Sequence, residues 1–317
     1  MMPRLLCVGL TTLDIAGRII DRIPVGGGTS LIDGIALSPA GTAGGMALVA
    51  ARLGVPVAIA SAVGDDAAGR FLRSEFAREQ VDTTLLAVRA DKRTSTTMLT
   101  IRGDGERPNF HALGAATFME LPPSVTTAAR NARFVHWGGV GGVNLDGGPG
   151  AALLAAARGA GAVVTCDLIS PGPRTMTELE RLLPNVDYFM PSGGEALSLT
   201  GEQDLVKAAS HFLRMGAGAC IFKRGADGAS YFARDGAQRD FPAYAVTPVD
   251  TTSCGDSFCA GFVAALDRGH TVDEACRFAM VTAALVASDL GTLGKVASFA
   301  ATWDAMTNMP LARHAAN

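Results

Sequence analysis

The chain of 317 residues predicts an α/β fold: a mostly parallel sheet covered by helices on both faces, with a small β unit beside it. Three observations carry this expectation. From residue 128 onward, short apolar runs alternate with helical patterns. Two stretches, 13–37 and 94–112, are strand-like but do not alternate with helices. The composition, 48% hydrophobic and 18% charged, suits a chain with a full core and not a disordered one.

Taken in order, residues 5–10 (LLCVGL) read as a buried first strand. Between 11 and 39, β-like pieces at 15–20 and 31–37 flank the flexible Gly26-Gly27-Gly28 run. A helix is expected over 46–53, where alanines surround Leu48 and Leu53; Gly54 stops it, and 57–60 form the next strand. Residues 67–79 carry Phe71, Leu72, Glu75 and Phe76 at helical spacing. The alternating run 94–102 (TSTTMLTIR) leads into the turn sequence GDGE, and 108–112 returns as its hairpin partner. Strands are then expected at 134–137, 162–166, 188–190 and 219–223, with helices at 150–158, 177–183, 195–199 and 204–215. Residues 229–232 extend a hairpin, two helices at 256–266 and 271–288 follow, and the chain after Met309 reads as a frayed tail.

Charge and composition exclude several classes. Lys plus Arg number 27 against 30 Asp plus Glu, a net −3 that argues against a nucleic-acid or anionic-membrane surface. Two tryptophans and three tyrosines form no stacking stripe. The most apolar stretch, 40–64, contains Arg52, Pro56 and several glycines, so it reads as a helix leading into a strand, not a membrane span. Arg4 and the apolar run after it imitate a signal peptide, but Asp14 interrupts them; a cytoplasmic protein is expected. The six cysteines (Cys7, Cys166, Cys220, Cys254, Cys259, Cys276) are scattered without CxxC spacing and read as ordinary thiols. None of the five histidines has metal-ligand spacing to another.

Chemistry concentrates at 249–262, VDTTSCGDSFCAGF. Small polar residues and a glycine run directly into an apolar helix, so free N–H groups of its first turn can converge on an anion. Asp256 lies at that turn. It can serve as a helix cap, or it can take a proton from a hydroxyl that attacks a phosphoryl group held by the N–H donors. No G-x-x-x-x-G-K-[ST] loop occurs anywhere, and Gly139-Val140-Gly141-Gly142 does not fit G-x-G-x-x-G.

The segment Asp250-Thr251-Thr252-Ser253-Cys254-Gly255-Asp256-Ser257-Phe258 resembles DTTGAGDSF, the C-terminal signature of the ribokinase-like (PfkB) carbohydrate kinase family. The run from Ala40 through Gly45 to Gly54 resembles the N-terminal signature, and Val63-Gly64-Asp65-Asp66 with Gly69 resembles the motif that follows it. The similarity extends over about 5–300 in the family's order.

The resemblance implies a three-layer α/β/α ribokinase-like fold with a mostly parallel central sheet and a small β-sheet lid. The large domain would comprise 1–12, 38–93 and 113–309, the lid 13–37 and 94–112, and the tail 310–317. The implied activity is ATP-dependent phosphorylation of a sugar or sugar-like alcohol with Mg²⁺. Asp256 would be the base, with Ser253, Cys254 and Gly255 supplying the anion hole. Asp14, Gly41, Thr42, Gly45 and Gly139 would bind the sugar under the lid. Lys223, Gly225 and Gly228 match the nucleotide-side loop. Glu195 would support Mg²⁺ through water. Asp250 and Thr252, with carbonyls near Ala287 and Gly291, match the family's monovalent-cation site, here K⁺. Family lids are also dimer surfaces, so a homodimer is implied.

The chain departs from the family pattern at several positions. Ala40-Gly41 stands for a pair of glycines, and Gly45 for a sugar-contacting Asn, so an enlarged, less polar pocket is expected there. Ser192 stands for the Asn of N-x-x-E, leaving Ser192-Gly193-Gly194-Glu195. Ser253-Cys254 replaces Gly-Ala, and a lowered pKa is expected for Cys254 at the helix start. His111 and His136 lie where they could reach a sugar but read as structural. Two further readings stay open: a nucleoside kinase, and a non-catalytic metabolite-binding protein on the same fold.

Overall fold

The computed structural model describes residues 3–103, 106–169 and 171–312. Its elements begin β1 (Leu5–Gly9), β2 (Thr12–Arg18), β3 (Gly34–Ala40), α1 (Gly44–Arg52), β4 (Val57–Gly64), α2 (Ala67–Arg78), β5 (Leu86–Arg89), β6 (Thr96–Ile101) and β7 (Asn109–Ala112). They continue α3 (Pro123–Asn131), β8 (Phe134–Gly138), α4 (Gly150–Gly159), β9 (Val163–Cys166), α5 (Thr175–Leu182), β10 (Tyr188–Phe189), α6 (Gly193–Thr200) and α7 (Leu205–Met215). The rest are β11 (Ala219–Lys223), β12 (Ala229–Ala233), β13 (Gln238–Phe241), α8 (Cys254–Asp267), α9 (Val272–Ala287) and α10 (Phe299–Asn308).

Nine strands form one sheet in the order β13-β12-β11-β10-β9-β8-β1-β4-β5. It is parallel from β11 to β5, and the β12–β13 hairpin adds an antiparallel edge. The two-residue period of β1 explains the layers. Leu5 and Cys7 pack into one core with Leu48 of α1, Phe76 of α2, Phe258 of α8 and Phe278 of α9. Leu6 and Val8 enter the opposite core with Val125 of α3, Leu154 of α4, Leu179 of α5 and Phe212 of α7. Strands buried on both faces must be apolar at every position, which is why they read as unbroken runs.

The lid is a separate sheet, β3-β2-β6-β7. Its register gives it two unlike faces. Ser38, Asp14, Thr97 and His111 stand in one row across the four strands, and Leu37, Ile15, Met98 and Phe110 stand in the next. The first row faces the body. In the second, Leu37, Met98 and Phe110 point outward, Met98 53% and Phe110 56% exposed, while Ile15 packs against the body's core.

Four elements were not expected: β5, α3, β13 and α10. The frayed tail needs correction as well. Ala245 N donates to Pro310 O and Ala312 N to Ala243 O, each at 2.8 Å, so the chain remains paired through Ala312. Residues 313–317, and Asp104 and Gly105 of the expected GDGE turn, lie outside the described residues. Among the described residues no helix is long and apolar enough to cross a membrane.

Candidate active site

A cleft of about 1320 Å³ separates the lid's polar face from the body. Its floor comes from chain just beyond the carboxyl ends of parallel strands: Thr11 after β1, Gly141 after β8, Asp167 after β9 and Ser192 after β10. Open α/β sheets place ligand sites at that edge because successive turns there diverge to opposite faces.

The start of α8 enters this cleft. Ser253 precedes the helix with φ 56° and ψ 7°, a left-handed conformation that turns the chain sharply into it. The N–H groups of Cys254, Gly255 and Asp256 have no acceptor among the described residues. Asp256 is the third helical residue, and no N–H of its own helix bonds its carboxylate among the described residues. Burial lifts its pKa to about 7; the Asp167 carboxylate pushes the same way and Lys223 opposes. A carboxyl tuned there exchanges a proton near neutrality.

Asp14 faces the cleft from the lid. It is 6% exposed, and its Oδ1 has no partner among the described residues. Burial raises its pKa to about 6, against a hydrogen bond from Thr97. Thr97 Oγ1 also meets His111 Nδ1 at 3.0 Å, and burial lowers the pKa of that imidazole.

On the far side, Lys223 ends β11 with Nζ 2.5 Å from Asp167 Oδ2. Burial opposes its charge, but the Asp167 carboxylate prevails and holds the ammonium pKa above its usual value. Cys259 Sγ donates to the same carboxylate oxygen at 3.4 Å. Lys223 Nζ lies 3.1 Å from the point where a Cβ on Gly255 would stand, so a cation sits beside the open helix end. Gly225, with φ 59°, has nothing within 4 Å of that point among the described residues and leaves the wall open.

Glu195 forms a capping box at the start of α6: Ser192 N and Oγ donate to its Oε2 at 2.8 and 2.7 Å. Its carboxylate still lines the cleft, as metal bound mainly by phosphates requires of the protein. Among the described residues no three His, Cys, Asp or Glu side chains cluster as a metal cage. Buried Asp250 accepts from Thr252 N at 2.8 Å and Gly291 N at 3.1 Å. Thr252 Oγ1 is buried without a partner among the described residues, so oxygen ligands fit for a monovalent cation remain.

The sequence profile of the pfkB family carbohydrate kinase matches residues 2–297. The chain belongs to that family. This kinase is similar to a ribokinase of Haemophilus influenzae, 30% identical over 261 residues, 81% of this chain and 83% of the relative. It is also similar to a nucleoside kinase of Methanothermobacter thermautotrophicus, 28% identical over 295 residues, 91% and 90% of the two chains. The fold matches the solved structure of Arabidopsis thaliana ribokinase complexed with ribose and ATP, with TM-score 0.81 and 23% identity over 96% of this chain and 99% of that one.

Several expected site residues of the kinase sit differently from expectation. Gly45 does not line the cleft; Asp256 fills the space beside it, so no enlargement arises there. Gly139 does not line it either, since a Cβ there would lie 2.7 Å from Leu145 Cδ1; Gly141 lines it instead. Gly41 and Thr42 do line it, and Thr42 Oγ1 donates to Gly138 O at 2.5 Å. Gly228 lines it with φ 93°, but a Cβ there would collide with the Phe241 carbonyl oxygen, which gives it a packing role of its own. Cys254 reverses its expected shift: burial pushes its thiol up to about 12, and Sγ bonds Ala283 O. His136 is buried within β8 against Thr165 Oγ1, 2.9 Å from Nδ1, with its pKa brought down to about 4 by burial.

The cleft residues that the sequence reading missed include Asp167, Thr97, Arg107 and Gly141, besides Thr11 and Ser95. The sequence signal for Asp167 is an acidic residue directly after an apolar strand. Thr11 and Ser95 leave no signal of their own.

Proposed function

We propose that this kinase transfers the γ-phosphoryl group of ATP to a hydroxyl of a sugar or sugar-like substrate, with Asp256 as the general base. The observation that carries the reading is Asp256 itself. Its carboxyl has a pKa of about 7, is free of its own helix's N–H groups, and adjoins unpaired N–H donors in the main cleft.

The lid-side acceptors Asp14 and Thr97 support a polyhydroxylated acceptor, held with one hydroxyl directed at Asp256. The triphosphate end of ATP lies toward α8, where the N–H groups of Cys254 and Gly255 and the Lys223 ammonium offset phosphoryl charge. As the hydroxyl oxygen bonds to the γ-phosphorus, the bond to the β–γ bridging oxygen breaks and ADP departs. The hydroxyl proton passes to Asp256. Gly225 and Gly228 bound the nucleotide wall. Glu195 would hold Mg²⁺ through water, and Asp250 and Thr252 would hold K⁺; when bound, these ions neutralise phosphate and anion-hole charge. Lid closure excludes water that would otherwise compete as acceptor.

The size of the cleft, about 1320 Å³, favours a second reading in which the acceptor is a nucleoside. The lid's outer row, with Leu37, Met98 and Phe110 exposed, supports a homodimer joined lid to lid. ATP as donor supports a cytoplasmic location.

The test is a coupled ADP-release screen over pentoses, hexoses, keto-acid sugars and nucleosides. At least one class should raise ADP release far above the substrate-free rate. A folded protein that releases ADP equally with and without every member would overturn the reading.

A further inference from the structure

Lys223 and Asp167 stand at the ends of two strands that are not neighbours: β11 and β9 flank β10 in the sheet. The ion pair between them, 2.5 Å from Nζ to Oδ2, therefore reaches across the carboxyl end of β10. The backbone fixes both anchors. Lys223 N donates to Pro191 O at 3.1 Å, and Asp167 N donates to Trp137 O at 3.2 Å. The Asp167 carboxylate, 2% exposed, is held at both oxygens. Leu168 N donates to Oδ1 at 2.8 Å, and Cys259 Sγ joins the ammonium at Oδ2.

This carboxylate is thus unlike Asp14 and Asp256, because its acceptors are taken up within the protein. The ammonium is not. It has three N–H donors, and among the described residues only Asp167 accepts from it. The point where a Cβ on Gly255 would stand is 3.1 Å from Lys223 Nζ and 4.0 Å from Asp167 Oδ2, so the pair adjoins the first turn of α8. A helix start carries partial positive charge and repels a cation brought beside it. Burial disfavours the same cation. Without a counter-charge the ammonium would turn toward solvent or lose its proton.

We propose that Asp167 is a positioning residue for phosphoryl transfer: it holds the Lys223 ammonium, charged, beside the open N–H groups of α8, with two donors left for phosphoryl oxygens. The inference rests on the kinase reading and deepens it. Asp167 acts wholly through Lys223. A carboxylate this close to the phosphoryl site repels phosphate when it stands alone, and it helps only while the ammonium is present. Its removal should therefore harm the parent and should not harm a chain that already lacks Lys223.

The experiment compares the parent, Asp167→Asn, Lys223→Met and the double variant, each as the full chain, with the acceptor that the parent phosphorylates fastest. Asp167→Asn should raise KM for ATP about tenfold and lower kcat by ~10–10²-fold, with KM for the acceptor within twofold. A general loosening of the fold would move both KM values together. Lys223→Met should lose at least as much. Adding Asp167→Asn to Lys223→Met should leave KM for ATP and kcat unchanged or improve them. The double variant removes both buried charges, so it should melt no lower than Lys223→Met. Parental KM for ATP and kcat in Asp167→Asn would overturn the assignment while the kinase reading stands. So would a further loss when Asp167→Asn is added to Lys223→Met, a comparison that decides the matter even if Asp167→Asn alone does not fold. A parent that phosphorylates nothing in the screen above overturns both.

Discussion

Gly45 and Asp256 are in direct contact across the interface of α1 and α8: a methyl added to Gly45 would lie 2.9 Å from Asp256 Oδ2 and 3.3 Å from its Cβ. The carboxylate therefore owes its position to a missing side chain. Gly45→Ala should displace it and lower kcat by ~10²-fold, the usual cost of misplacing a reacting group by about an ångström. ATP affinity should be unchanged. A variant with parental kcat would show that the carboxylate has room to move without consequence.

Asp256→Asn keeps the shape and removes the base. It should lower kcat by ~10²–10⁴-fold with ATP affinity roughly retained. Single-turnover measurements would locate the loss in the chemical step. Turnover within threefold of the parent, in a normally folded variant, would require a different base.

The raised carboxyls predict opposite effects of pH on activity and stability. With its pKa at about 7, Asp256 becomes an effective base only as pH rises, so kcat should climb through that region and level off above it. Stability runs the other way. Its pKa exceeds the ordinary carboxyl value of 3.8, so the folded state binds the extra proton between those values. That contribution is complete below the unfolded pKa and disappears as pH rises through about 7. Relative to Asp256→Asn, the parent's melting midpoint should therefore fall as pH is raised from 4 to 8. Parallel curves for parent and variant would contradict the shift.

Glu195→Gln should raise the Mg²⁺ concentration that gives half-maximal turnover. Gln can still accept from Ser192 N, so the start of α6 should survive. An unchanged Mg²⁺ dependence would confine Glu195 to its capping box.

Met98→Glu places a charge in the middle of the lid's outer row without touching the inner one. Sedimentation should show a dimeric parent and a monomeric variant. A monomeric parent would remove the lid-to-lid contact from consideration.

The layered body was legible because each parallel strand, buried on both sides, spells an unbroken apolar run. Leu5, Leu6, Cys7 and Val8 serve two cores at once. The missed elements lack that pattern. In α3 only Val125 and Ala129 are buried, and Pro122 precedes it. The first three residues of β13 are exposed, so its sequence QRDF looks like a loop. The anion site was legible as a motif because its residues are contiguous. Asp167 was not, because its meaning lies in a contact with Lys223, 56 residues away. The fate of Gly45 was hidden for the same reason: whether a missing side chain opens a pocket depends on which neighbour takes the space.

The two-faced lid also limits how its length can vary. Its strands alternate strictly, so inserting one residue into β6 would carry Thr97 to the outside and Met98 into the cleft. An odd-numbered insertion or deletion inside β2, β6 or β7 would thus turn the surface inside out, exchanging polar recognition for grease. The connection 19–33 between β2 and β3 carries no such parity. Fusion tags, labels and grafted loops belong in that connection, where the lid can grow longer without changing which face it shows to the cleft.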